Sequence, residues 1–330
     1  MEKQIMNRAS AQYDIIKVVT TFLVVAAHAA RMYTGEGVVQ PYNSSAFLSS
    51  LCNIIYDFHM PLYICVSGMV YGLCVDDYKK YGNTLEFIKN KFLRLLIPYW
   101  FFGIIYVAPV MVLFRFTESS YLEYCISGIL LVRDSRHLWY LVVLFGIFCI
   151  CALIKKQMQK WNSFIMFAVL LIILAVTWKL PNVFQIKKII YYLPFFYLGY
   201  IINRNYEKIT GILKRPIVMI LLAAAFVLSH LLPAGEKAAA SLCGIGIAAG
   251  AVQYVDLRIC SLNIFKKINK NGFGIYLLHP MIIYVLFYYL GKYDINPVLL
   301  CGGIILVSYA VSYVLTNIIR KTRLKAVIGE

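Results

Sequence analysis

Charge is scarce in this chain. Only 14% of its 330 residues are Asp, Glu, Lys or Arg, too few to coat a soluble domain of that length. Acids are the scarcer sign, 15 against 32 Lys and Arg. Those basic residues sit in short clusters between apolar runs and form no single patch. That excludes a nucleic-acid surface and reads as the loops of a membrane protein. CxxC pairs are absent although nine Cys are present, and Cys52, Cys65, Cys74, Cys149, Cys151 and Cys243 fall inside apolar runs. A disulfide framework and a zinc site are therefore not expected; these are small packing residues. Internal repeats are absent too, and no segment has the composition of an appended soluble domain, so residues 1–330 read as one membrane domain. Histidine is limited to five positions, which makes each one worth placing.

What is abundant is hydrophobic sequence: 61% of residues, with a mean hydropathy of +0.74. The apolar runs predict an all-α, polytopic transmembrane bundle of about ten spans, near 13–33, 51–75, 92–114, 137–154, 162–179, 187–203, 216–232, 238–255, 273–290 and 297–318. Ser119–Val132 is too short to cross and is expected as an interfacial or re-entrant helix. With the N-terminus in the cytoplasm, the inner segments hold 22 of the 32 Lys and Arg, which favours both termini inside and a multi-pass protein of the cell membrane. One outer loop breaks the rule with Lys179, Lys187 and Lys188; either a span boundary is misplaced there or the cluster serves an anionic ligand. Ala27–His28–Ala29 has the small-x-small look of a signal-peptide cleavage site. Asp14 and Lys17 interrupt the start of that apolar run and many spans follow, so the run is taken as a retained span.

The first span, YDIIKVVTTFLVVAAHAARMY (13–33), is interrupted by ionisable groups. At about 100° per residue, Asp14, Lys17, Thr21, His28 and Arg31 fall within one sector of roughly 100°. Ionisable groups in a membrane are costly and face the bundle interior or a wet cavity. Asp14 and Lys17 are spaced i, i+3 and can pair; the plainer reading is snorkelling at the inner interface. His28 lies about 22 Å along the span, too deep to snorkel; its plainer role is an interhelical hydrogen bond. Arg31 reads as the interfacial end of the span. In the second span, Tyr56, His59, Tyr63, Ser67 and Tyr71 share a face, interrupted by Pro61. Two His on facing stripes at similar depth would make a buried polar site, and neutral imidazole can take a proton from a hydroxyl.

These residues resemble the acyltransferase 3 family of integral membrane acyltransferases, in the branch of fucose 4-O-acetylase-like enzymes and intercellular-adhesin polysaccharide acyltransferases. The family opens with Asp, then Arg, then ten residues, then His; Asp14, Lys17 and His28 stand in that spacing. FHMPLYICVSG (58–68), KFLRLLIPYW (91–100), HLWYL (137–141) and GIYLLHP (274–280) are similar to the branch's later motifs, in order. Lys17 and Lys91 stand where many members have Arg, which keeps charge but loses bidentate geometry. The extracellular hydrolase-like domain of some members has no counterpart here. HLWYL also occupies the place of the Ser-x-x-x-Glu motif of the large polysaccharide O-acetylases.

The resemblance implies transfer of an acyl group, commonly acetyl from acetyl-CoA, to a hydroxyl of a cell-surface or lipid-linked sugar. It makes His28 the expected general base, with a covalent acyl-histidine relay as the alternative. Lys17, Lys91 and Arg94 at the inner end, with Asp14 positioning Lys17, are the expected acyl-CoA site; the plainer reading of Lys91 and Arg94 is loop charge alone. His59 and Tyr56 are candidates for binding the acceptor or polarising the thioester oxygen, and His137 and Trp139 for contacting a sugar. His279, beside Pro280, is expected to satisfy a kinked backbone, and His230 to matter little. No metal or bound cofactor is called for; acyl-CoA is a co-substrate, and the partners are a sugar or glycolipid acceptor and the bilayer. A polar stripe equally suits a transporter, exporter or flippase, which remains the competing class. A sensor or scaffold has no feature in its favour.

Overall fold

A computed structural model describes residues 2–80, 82–177, 183–230 and 237–329. Among the described residues the chain is helical, without strands. In order the helices are α1 (Glu2–Ala30), α2 (Ala46–Gly72), α3 (Thr84–Phe102), α4 (Ala108–Leu113), α5 (Tyr121–Glu123), α6 (Trp139–Leu153), α7 (Lys155–Lys160), α8 (Ser163–Val176), α9 (Ile186–Arg204), α10 (Tyr206–Leu213), α11 (Pro216–His230), α12 (Lys237–Ala251), α13 (Asn263–Leu290) and α14 (Pro297–Arg320). The described residues of each of the ten apolar runs are largely helical. Among the described residues, six stretches are long and apolar enough to cross a membrane: Lys3–Tyr33, Ala46–Asp77, Thr84–Leu113, Arg136–Leu153, Asn263–Leu290 and Pro297–Arg320. A seventh would be α10 with α11, bent by 77°.

The remaining expected spans give shorter or more charged helices among the described residues. A bilayer core of about 30 Å needs about 20 helical residues, whereas α8 and α12 have 14 and 15. α9 has 19 but carries Lys187, Lys188 and Arg204 at its ends. Lys179 lies outside the described residues. The Ser119–Val132 segment folds as α5 and a π-helical stretch, Tyr124–Leu130. It packs on α3, where the Tyr99 hydroxyl donates to the Ile129 carbonyl.

α2 sits at the centre, packed against α1, α9 and α12. Apolar packing gains little in lipid, so membrane helices associate where small residues let backbones meet. Gly68 of α2 and Gly199 of α9 do this reciprocally: a Cβ at Gly68 would stand 1.9 Å from the Phe196 carbonyl oxygen, and one at Gly199 1.9 Å from that of Cys65. Pro61 removes an N–H from α2 and frees the Asp57 carbonyl. Ser241 of α12 donates to it at 2.6 Å, so the break is repaired from a neighbouring helix. His230, expected to matter little, instead ties α11 to α2 through Asp57, Nε2 to Oδ2 2.9 Å. The outward side of α14 is apolar, with Leu299 and Leu306 about 70% exposed.

Candidate active site

Four of the five histidines converge. α1 brings His28, α2 His59, α13 His279, and a short 3-10 turn before α6 brings His137. Ring centroids lie 5.2 Å apart for His28 and His279, 6.4 Å for His28 and His137, and 5.9 Å for His137 and His279. Tyr56 joins His28 at 6.3 Å and His59 at 4.8 Å. The expected facing stripes of the first two spans therefore meet, and Pro61 does not separate them.

Backbone carbonyls fix three of the rings. Only a ring N–H can pair with a carbonyl, so His59 Nδ1 donates to Ile55 (2.8 Å), His137 Nε2 to Leu277 (3.0 Å) and His279 Nδ1 to Ile275 (2.9 Å). Those three are buried, at 1%, 4% and 0% exposure. His28 alone of the four is partly exposed, and it opens into a cavity of about 330 Å³. Its Nδ1, His137 Nδ1 and His279 Nε2 have no hydrogen-bond partner among the described residues. The arrangement is one reachable imidazole supported by three fixed ones.

His279 is the residue that sequence reasoning undervalued. It does bond its own helix, as expected beside Pro280, but it is also the nearest ring to His28. The misplacement came from depth. The span was taken to begin at 273, whereas α13 begins at Asn263, so His279 lies about 24 Å from the helix start, level with His28. Arg31 was also misjudged. It lines the cavity, with its guanidinium 5.1 Å from the Tyr56 ring centroid and paired to Glu36 at 3.2 Å. The same cavity is lined by Tyr56, His59, His137 and Trp139, and by Lys188 of the anomalous outer cluster. Lys187 is not in that lining.

A second cavity, of about 730 Å³, opens toward the other end of the bundle. Lys17, Lys91 and Arg94 line it together with Lys80, Lys266 and Lys270, and no carboxylate is among its described lining residues. Asp14 holds Lys17, Oδ1 to Nζ 3.0 Å, and Lys91 lies over the Phe148 ring at 4.2 Å. Lys80, Lys266 and Lys270 had registered in the sequence only as loop charge. Ile328 and Gly329 line the same cavity, so both chain termini lie toward this basic end.

Between the cavities stands a layer of tyrosines. Tyr63 and Tyr140 line the basic side and Tyr276 the histidine side. Tyr276 stacks on Tyr63 at 6.2 Å and meets Tyr140 edge-on at 5.4 Å. Tyr63 bonds Thr21 (3.2 Å), Tyr140 bonds Ser67 (3.1 Å), and the Tyr276 hydroxyl donates to the His137 carbonyl. Lys17 and His28, on the two sides, are eleven residues apart in one helix, about 16 Å. No group of three or more His, Cys, Asp or Glu among the described residues is arranged to hold a metal ion.

Six helical stretches long and apolar enough to cross a membrane among the described residues, in a bundle that holds a polar, histidine-lined cavity, define an integral protein of the cell membrane with a built internal site. The chain matches the acyltransferase-domain family, acyltransferase 3, over residues 10–317, and it belongs to that family. It is similar to proteins of Staphylococcus aureus strains MSSA476, MW2 and MRSA252, each named as a probable poly-beta-1,6-N-acetyl-D-glucosamine export protein. Each is 24% identical over 316 residues, covering 88% of this chain and 87% of the relative. No solved structure gives a significant match.

Proposed function

We propose that the protein transfers an acyl group, acetyl foremost, from cytosolic acyl-CoA to a hydroxyl of a cell-surface or lipid-linked sugar, with His28 as general base. The observation that carries this reading is the division of α1 between two cavities, basic at Lys17 and histidine-lined at His28. CoA phosphates suit an acid-free basic cavity, and an extended pantetheine arm suits a separation of about 16 Å. Placing the basic end in the cytoplasm puts both termini there and agrees with the positive-inside rule.

In the reaction, the free nitrogen of His28 takes the hydroxyl proton as that oxygen attacks the thioester carbonyl. The C–S bond breaks, and the proton passes to the departing CoA thiolate. Tyr56, His59 and His137 lie where they can hold the acceptor or the oxyanion. An acyl-histidine formed first on His28 and then attacked by the hydroxyl is the variant of the same scheme. The arm must pass the layer of Tyr63, Tyr140 and Tyr276, so these rings move apart during turnover.

Lys17→Gln and Lys91→Gln should each raise the KM for acetyl-CoA roughly 10-fold or more, at about 1.5 kcal/mol per charged hydrogen bond, with kcat little changed. Arg94→Gln should do less, because Arg94 is exposed. Asp14→Asn should follow Lys17→Gln at smaller size. Steady-state kinetics against acetyl-CoA concentration checks all four, and an unchanged KM in every variant would remove the donor-site assignment.

The export role for which the relatives are named supports a second reading, polymer export. Purified protein given acetyl-labelled acetyl-CoA and a host glycan extract separates the two. Alkali-labile label on sugar supports transfer. Movement of glycan across a vesicle wall without any acetyl ester supports export.

A further inference from the structure

The His28 cavity carries charges that proton transfer does not use. Arg31, Arg133, Arg136 and Lys188 line it against two acids, Glu36 and Asp134. Both acids are engaged: Arg31 with Glu36, and Arg136 with Asp134, each at 3.2 Å. Among the described residues no carboxylate comes within ion-pair distance of Arg133 or Lys188. Lys188 is half-buried and lies over the Trp139 ring at 4.4 Å, and Trp139 stacks on Tyr192 at 5.4 Å. Trp139, expected to contact a sugar, lines the cavity and also holds the Lys188 ammonium group at its wall. Arg136 Nε and Gln185 Oε1, both in the lining, are buried without a hydrogen-bond partner among the described residues. One is a donor suited to an anionic oxygen and the other an acceptor suited to a hydroxyl.

A lining with a formal excess of two positive charges, in low-dielectric walls, attracts an anion. Lys188 also belongs to the cluster, with Lys179 and Lys187, that departs from the loop-charge rule unless a span boundary is misplaced there. We propose that this cavity takes an acceptor that is itself anionic, a sugar bearing a phosphate or carboxylate, held through Lys188 and Arg133 with its hydroxyl near His28. The proposal rests on the acyl-transfer reading for what happens to that hydroxyl; the binding chemistry stands on the lining alone. Arg31 and Arg136, neutralised by their own carboxylates, shape the wall, and Gln185 receives a sugar hydroxyl.

The test is binding by the purified full chain in discs of neutral phosphatidylcholine, with glucose 1-phosphate, glucuronic acid and methyl glucoside as probes. At least one of the two anionic sugars should bind roughly 10-fold or more tighter than methyl glucoside, as a charge-assisted contact requires. The better of the two identifies phosphate or carboxylate as the anion. Lys188→Gln and Arg133→Gln should each shrink that preference without changing methyl glucoside binding, and Lys188→Arg should restore it. Equal binding of all three probes, no binding of either anionic sugar, or a preference untouched by both Gln variants would overturn the proposal. Displacement of the sugars by anionic lipid added to the discs would assign the cations to headgroups and overturn it as well. Because the readout is binding, a protein that prefers anionic sugars but transfers no acetyl group would contradict the transfer reading and leave this one standing. Acetylation of neutral sugar at the full wild-type rate, with no anionic preference, would do the reverse.

Discussion

His28→Ala should lower acyl transfer by about 10²–10⁴-fold, the usual contribution of a positioned general base, while leaving the melting temperature in detergent nearly unchanged. The size follows from His28's place among its neighbours. His59 and His137 in the cavity wall and His279 behind it are buried, each with one nitrogen committed to a backbone carbonyl. His28 is the one partly exposed ring of the four, beside the space where a hydroxyl would sit. His28 also makes no hydrogen bond that stabilises the bundle through Nδ1, so its loss should be felt in rate and not in folding. His28→Gln serves as the companion, since it keeps polarity and bulk without a base of suitable pKa; it should be as inactive as the Ala variant. A single-turnover measurement without acceptor then separates the two chemical variants. Label retained on wild-type protein and absent from His28→Gln supports the acyl-histidine, and no retained label supports direct attack. Transfer within a few fold of wild type in both variants would remove His28 from the chemistry.

Gly68→Ala and Gly199→Ala should have the largest effects on folding. Each introduces a Cβ 1.9 Å from a backbone carbonyl oxygen of the facing helix. Contacts under 3.0 Å are essentially never made by real Cβ atoms. The obstacle is backbone, so no side chain can turn aside, and α2 and α9 must part along their crossing. Overpacking of this kind costs typically about 1–3 kcal/mol, and a backbone-to-backbone clash belongs at the upper end. Thermal unfolding of purified protein should show a clear drop for either variant, and Gly199→Val should fail to accumulate as a monodisperse species. Activity should fall in parallel, because α2 also carries Tyr56, His59 and the Tyr63 of the dividing layer. The contrast with His28→Ala is the control: one change removes chemistry and keeps stability, the other removes both. Wild-type stability in both Ala variants would mean that the crossing is looser than described.

The sequence announced more of the helical register than of the depth. The stripe of Asp14, Lys17, Thr21 and His28 was legible because a helix repeats every 3.6 residues, and three of the four converging histidines, His28, His59 and His137, were each candidates before their meeting could be seen. The clustering of His28 with His279 was not legible, because hydropathy marks the apolar centre of a span and not its polar ends. α13 begins ten residues before its apolar run, which shifted His279 to the wrong level. Lys80, Lys266 and Lys270 were invisible as a site for a different reason. Loop lysines are expected on one face of any membrane protein, and only tertiary packing shows three of them lining one cavity with Lys17 and Arg94. The tyrosine layer had no sequence signal beyond composition, since Tyr63, Tyr140 and Tyr276 come from three distant helices. Six of the ten expected spans are long and apolar enough to cross among the described residues, because composition identifies apolar helices, whereas crossing also requires length.

The most direct test of a transfer path between the two cavities is sidedness in sealed proteoliposomes. Acetyl-labelled acetyl-CoA is supplied outside, acceptor glycan is trapped inside, and the label in the trapped pool is counted after external acceptor is removed. Acyl ester should form on the trapped glycan with wild type and should vanish with His28→Ala. Ester formed only when donor and acceptor share one face, or formed equally well by the variant, would contradict the path from the basic cavity through the tyrosine layer to His28.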